Sequence, residues 1–206
     1  DPEMSRGLGD VYKRQMLEET KLSHYLDLYV FEEVCKTLHK WEVRDIPMIP
    51  VSVNFAGATL RQEGLADKML HLIEKHHVRC EYLEVEVSES SSDMNQEMLA
   101  ETSSKIRKGN VRVILDHFGA KDSSFSILSL MEFDGLKLDK SVISNIVGNG
   151  RSRIVAQAVI DICRQLGASV QAAGVETQDQ FNVLREIGCD LSLIHISEPT
   201  RHLRIS

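Results

Sequence analysis

The feature that most constrains this chain is a rhythm. Short runs of alternating apolar and polar residues begin near residues 46, 82, 111, 133 and 168, and longer runs with helical spacing separate them. IPMIPVSVNF sets Val51, Val53 and Phe55 on one side of a strand and Ser52 and Asn54 on the other. YLEVEVSES sets Leu83, Val85 and Val87 against Glu84 and Glu86. VRVILDHFG, FDGLKLDKSVI and ASVQAAGVE follow as strands, with Leu136 and Leu138 opposite Lys137 and Asp139 in the fourth. Cys189-Asp190-Leu191 reads as the first step of a sixth.

The spacing predicts helices between them. Residues 21–41 carry a stripe of Leu26, Val30, Val34 and Leu38, widened by Phe31 and Cys35. Residues 64–76 carry Leu65, Met69, Leu72 and Ile73, and residues 93–108 carry Met94, Met98, Leu99, Thr102 and Ile106 before stopping at Gly109-Asn110. A short helix is expected at 124–131, and a longer one at 154–166 with Val155, Val159, Ile162 and Leu166 inward. Thr177 with Gln180 makes a capping box for a last helix carrying Phe181, Leu184 and Ile187.

Strand–helix alternation of this kind builds a parallel sheet. In an open doubly wound sheet the strands are near-continuous apolar runs. Here several strands are apolar on one side and carry Asn, Glu, Asp or Lys on the other. That pattern fits a closed TIM-type (β/α) barrel, whose outward side packs under helices and whose strand ends line a mouth. The barrel is expected to be incomplete, since it needs eight strands and the pattern supplies five and a start. DVYKRQ at 10–15 and SLIHISEPTR at 192–201 read as non-native peptide, so the domain is placed at 16–191 with a leader of 1–15 and a tail of 192–206. LSLIHIS still alternates well enough to pair as a strand.

The net charge of -7 leaves no basic footprint for duplex DNA or RNA, or for an acidic membrane surface. No apolar run approaches the roughly 20 residues that span a bilayer. Cys35, Cys80, Cys163 and Cys189 are far apart and lack metal-ligand spacing, which suits reduced thiols in the cytoplasm.

Several strands end in a residue that could do chemistry: Asn54, Glu86, Asp116, Lys137 with Asp139, and Glu176. Carboxylates and amides are the donors that hard dications such as Mg²⁺ and Mn²⁺ take. A lysine nearby can hold an attacking water or stabilise developing charge. Singly, each has a bland reading as an ordinary strand residue or salt-bridge partner. Their recurrence at successive strand ends points to a metal or phosphate site.

VSVNFAGATL, LEVEVSES, LDHFGAKDSSFSILSLMEFDGLKLDKSVI and VQAAGVETQDQFNVLREIGCD resemble, in order, the motifs of the EAL domain family, bacterial phosphodiesterases that linearise cyclic di-GMP. MLEETKLSHYLDLYVFEEVCKTLHKW resembles that family's first long helix and its lead-in. The resemblance implies a TIM-type barrel. It also implies metal ligands at Asn54, Glu86 and Asp116, with Asp139 a further candidate ligand, a water-assisting lysine at Lys137 beside it, and loop-holding glutamates at Glu89 and Glu176.

The departures fall on the same chemistry. The Glu-Ala-Leu triplet, expected ahead of residue 16, is absent. His117 stands where the family has a second aspartate, and Ala173 where it has a glutamate. Ala120-Lys121-Asp122 replaces a small glycine-containing turn. His117 reads either as a tolerated loop residue or as a replacement metal ligand. Lost carboxylates mean lost ligands and lost negative charge, so inefficient hydrolysis is expected. Three functions follow: a metal-dependent hydrolase of cyclic di-GMP, a module that binds cyclic di-GMP without cleaving it, and an interaction surface supporting a homodimer or a partner contact.

Overall fold

The computed structural model describes residues 23–88, 96–120 and 125–194. They fall into two compact units, one of residues 23–116 and 125–134, the other of 117–120 and 135–194.

The first unit runs α1 (Ser23–Val43), β1 (Val51–Phe55), α2 (Gly57–Leu60), α3 (Leu65–Lys75), a single 3₁₀ turn (Cys80–Tyr82), β2 (Leu83–Ser88), α4 (Gln96–Lys108), β3 (Arg112–Phe118, whose last two residues count with the second unit) and α5 (Ser126–Leu130). β1 pairs with β2 and β2 with β3, all parallel and in chain order, as the βα rhythm requires. Val53, Val85, Val87, Val113 and Leu115 are essentially removed from water on one side of these strands. Phe55 joins them and meets Phe31 of α1 edge-on, ring centroids 5.8 Å apart. Each such side chain contributes about 1.5–3 kcal/mol by burial, so this face fixes which side the polar residues occupy.

The second unit runs β4 (Gly135–Leu138), α6 (Lys140–Ile143), α7 (Gly150–Gln165), β5 (Ser169–Val175), α8 (Gln178–Glu186) and β6 (Leu191–Ile194). β4 pairs with β5 and β5 with β6, again parallel and in order. Thr177 and Gln180 form the expected capping box at the start of α8.

One device recurs in both units. Asp134, just ahead of β4, donates its N–H to the Val113 carbonyl at 2.8 Å, and its Oδ2 accepts the Val113 N–H at 2.9 Å. Asp190, just ahead of β6, does the same to Val170, at 3.0 and 2.7 Å. Each aspartate thus brackets one strand residue through both its backbone N–H and its carbonyl.

Several expectations are corrected. On α1 the buried face is Phe31, Cys35 and Leu38, while Leu26 and Val30 are exposed. On α7 it is Ala156, Val159, Ile160 and Cys163, with Val155 and Leu166 exposed. Met98 of α4 is also exposed, and Met94 lies outside the described residues. The fourth strand stops at Leu138, because Asp139 turns the chain into α6 by accepting the Ser141 N–H at 2.8 Å. Residues 192–194, placed in the tail, pair as part of β6, as the alternation of LSLIHIS allows. Six strands are found among the described residues, two fewer than a TIM-type barrel holds.

Candidate functional site

In the first unit the register decides what shares a face. Asn54 lies opposite Glu86 and Glu86 opposite Ile114, so Asp116, two residues beyond Ile114, is on the same side of the sheet. Asn54, Glu86 and Asp116 therefore stand at the C-terminal ends of three consecutive strands, on the face away from Val53, Val85 and Leu115. Glu86 and Asp116 are only 5% and 7% exposed, while Asn54 is open to solvent.

One layer further from the strand ends lies a second polar row. Ser52 donates to Glu84 Oε2 at 2.8 Å, and Arg112 pairs with Glu84 Oε1. Glu84 is 6% exposed, and a carboxylate so far from water needs such partners. This row neutralises its own acid, leaving Glu86 and Asp116 as the carboxylates of the outer row.

Asp27 of α1 steadies the first strand end. Its Oδ2 accepts the Ala56 N–H at 2.9 Å and the Thr59 hydroxyl at 2.5 Å, fixing the turn two residues after Asn54. The sequence pattern did not single out Asp27, because its partners lie 29 and 32 residues away.

In the second unit, His117 adopts a left-handed backbone, φ 59°, which is uncommon outside glycine. Its Nδ1 lies 3.3 Å from Asp139 Oδ2. Burial raises the cost of charge on Asp139, but hydrogen bonding from Ser141 and from His117 outweighs it and holds the carboxyl below its ordinary range. The two side chains offered as further metal ligands thus face one another, and Asp139 also caps α6.

Lys137 is half-buried on β4, in register with Gln171 of β5. β5 then breaks register with β6 between Ala172 and Val175, where Gly174 takes φ 74°. Ala173 brings a methyl group to this bulge and no oxygen. Glu176 follows, exposed, with Lys140 Nζ 2.5 Å from its Oε1. Lys140 lies in a helix and not in the expected strand; the Asp-Lys-Ser order, an N-cap residue followed by a helix start, is its signal in the sequence. Glu89, Lys121 and Asp122 lie outside the described residues.

The donor chemistry of Asn54, Glu86 and Asp116 fits one hard dication. Among the described residues no three His, Cys, Asp or Glu side chains gather as a metal-holding group, so the set has the right kind of ligand but few of them.

The family model of the EAL domain matches residues 14–192. The chain belongs to the EAL domain family. Cyclic di-GMP phosphodiesterase NbdA of Pseudomonas aeruginosa is 30% identical over 176 residues, which is 85% of this chain and 22% of that protein. The chain spans between about a fifth and a third of the curated relatives it matches. Among solved structures, the PaMucR phosphodiesterase in complex with c-di-GMP superposes with a TM-score of 0.76 at 24% identity, covering 86% of this chain and 72% of that one. The Klebsiella pneumoniae BlrP1 complex with manganese and cyclic di-GMP gives 0.71 at 20% identity, covering 81% and 42%. The fold of this EAL domain is therefore α/β of the TIM-barrel type, as the strand pattern implied.

Proposed function

We propose that this EAL domain binds cyclic di-GMP and, with a divalent ion, hydrolyses it at a rate far below that of a site with the full set of carboxylates. The observation that carries the reading is the outer row of the first unit, Asn54, Glu86 and Asp116, three oxygen donors on one face at successive strand ends. These residues would hold Mg²⁺ or Mn²⁺. When bound, the ion supplies charge neutralisation at the phosphodiester and acidifies a water. The ligand and ion carried by PaMucR and BlrP1, and the activity in the name of NbdA, support the assignment.

Lys137 is the chain's own contribution to the step. Its ammonium group assists the attacking water, the role that the family resemblance gives it. The water oxygen forms the new P–O bond, the P–O bond to one sugar oxygen breaks, and the water's proton ends on that sugar oxygen. Glu176 has a holding part. A cytoplasmic setting belongs to this reading, supported by Cys35, Cys80, Cys163 and Cys189 being free. Burial pushes the Cys35 thiol up to about 12 and the Cys163 thiol up to about 11, which makes both inert.

Ala173 and His117 favour a second reading, a module that binds cyclic di-GMP without cleaving it. The experiment is incubation with cyclic di-GMP and Mg²⁺ or Mn²⁺, with products separated by chromatography. Slow formation of linear dinucleotide, abolished in Lys137→Ala, is expected. Binding with no product at all selects the second reading, and no binding removes both.

A further inference from the structure

We propose that Lys140 is a positioning residue that fixes the Glu176 carboxylate, and with it the end of β5, against the turn after β4; this rests on the reading above, which gives Glu176 its part in the site. Three consecutive residues of that turn hold two segments of the second unit, residues 117–119 and the end of β5. Asp139 receives His117, caps α6, and donates its N–H to the Phe118 carbonyl at 2.8 Å. Ser141 donates its hydroxyl to the Gly119 carbonyl at 3.0 Å. Lys140 reaches the other way, to Glu176 at 2.5 Å.

The stem of Lys140 is constrained as well as its head. Its Cβ, Cγ and Cδ lie 3.0, 3.1 and 3.2 Å from the point where a Cβ on Gly174 would stand. The side chain therefore lies along the backbone of the β5 bulge and delivers its ammonium to the carboxylate two residues further on. Between Ser169 and Glu176 that carboxylate is the only acidic group, because residue 173 is alanine. Both partners are largely exposed, at 62% and 55%, and an exposed pair alone gives little stability. Its value is directional: the glycine bulge admits the lysine stem, and the stem aims the charge.

Lys140→Met keeps the stem and removes the charge, and Lys140→Arg keeps both. In the ligand-free protein, the amide resonances of Gly174, Val175 and Glu176 are expected to shift in Lys140→Met and to return toward wild type in Lys140→Arg. Unmoved amides in Lys140→Met overturn the proposal whatever the protein binds. By calorimetry with cyclic di-GMP and Mn²⁺, Lys140→Met and Glu176→Gln are each expected to weaken binding about 2- to 5-fold, with the double variant no weaker than either. Losses that simply add overturn the proposal too. Shifted amides in a protein that binds no cyclic di-GMP uphold the clamp and overturn the functional reading instead.

Discussion

Gly119 follows β3, the strand that carries Asp116 and His117, and substituting it tests how that strand end is held. Its φ is 93°, in the region where side chains are strained. A Cβ there would also fall well inside van der Waals contact with Val142 Cγ2. Gly119→Ala therefore meets two separate costs. The backbone term is about 1–2 kcal/mol, from holding a non-glycine residue in a left-handed conformation. The steric term is about 1–3 kcal/mol, from forcing Val142 and its helix to give way. Together they predict a loss of about 2–5 kcal/mol in urea denaturation followed by far-ultraviolet circular dichroism. Val142→Ala separates them. In the Gly119→Ala background it should recover the steric part and leave the backbone part, a coupling of about 1–3 kcal/mol in the double-mutant cycle. A Gly119→Ala protein within about 0.5 kcal/mol of wild type, or one that Val142→Ala does not relieve, would refute the reasoning.

Two further perturbations address charge. Hydrogen bonds from Lys75 and His76 lower the Glu32 carboxyl to about 2, so its contribution is fully present above its unfolded value near 4.5 and is lost as pH falls toward 2. Glu32→Gln should flatten the decline of stability across that window, and an unchanged slope in acid titrations of the melting temperature would count against the Lys75–Glu32–His76 cluster. His117→Asp combined with Ala173→Glu restores two carboxylates in the second unit, and Mn²⁺ affinity should rise about 10- to 100-fold by calorimetry. An unaltered titration would show that these two positions do not limit the metal site.

The strands were legible because a period of two survives in five separate places, and the polar row at their ends came with them. The helix faces were less legible. α1 offers two adjacent apolar stripes, and only packing against β1 and α3 selects Phe31, Cys35 and Leu38 over Leu26 and Val30. On α7 the buried set includes the small residues Ala156 and Cys163, which a search for large apolar side chains passes over. The polar contacts that organise the site join residues distant in sequence. Asp27 reaches a backbone amide 29 residues on, and Lys140 a carboxylate 36 residues on. No local pattern announces such pairs; they exist only once the strands have set the distances.

The paired aspartates have a consequence for how the chain finds its register. Parallel strands join residues far apart in sequence and form slowly, and a slip of one residue would turn the buried valines onto the polar face. Asp134 and Asp190 each clamp one residue of an earlier strand through both its N–H and its carbonyl. Arg107 further orients Asp134 through hydrogen bonds of 3.0 and 3.1 Å. A misaligned strand would present the carboxylate with the wrong partner and strand a charge beside an unpaired amide. These side chains act as keys that make a wrong alignment costly at its first residue.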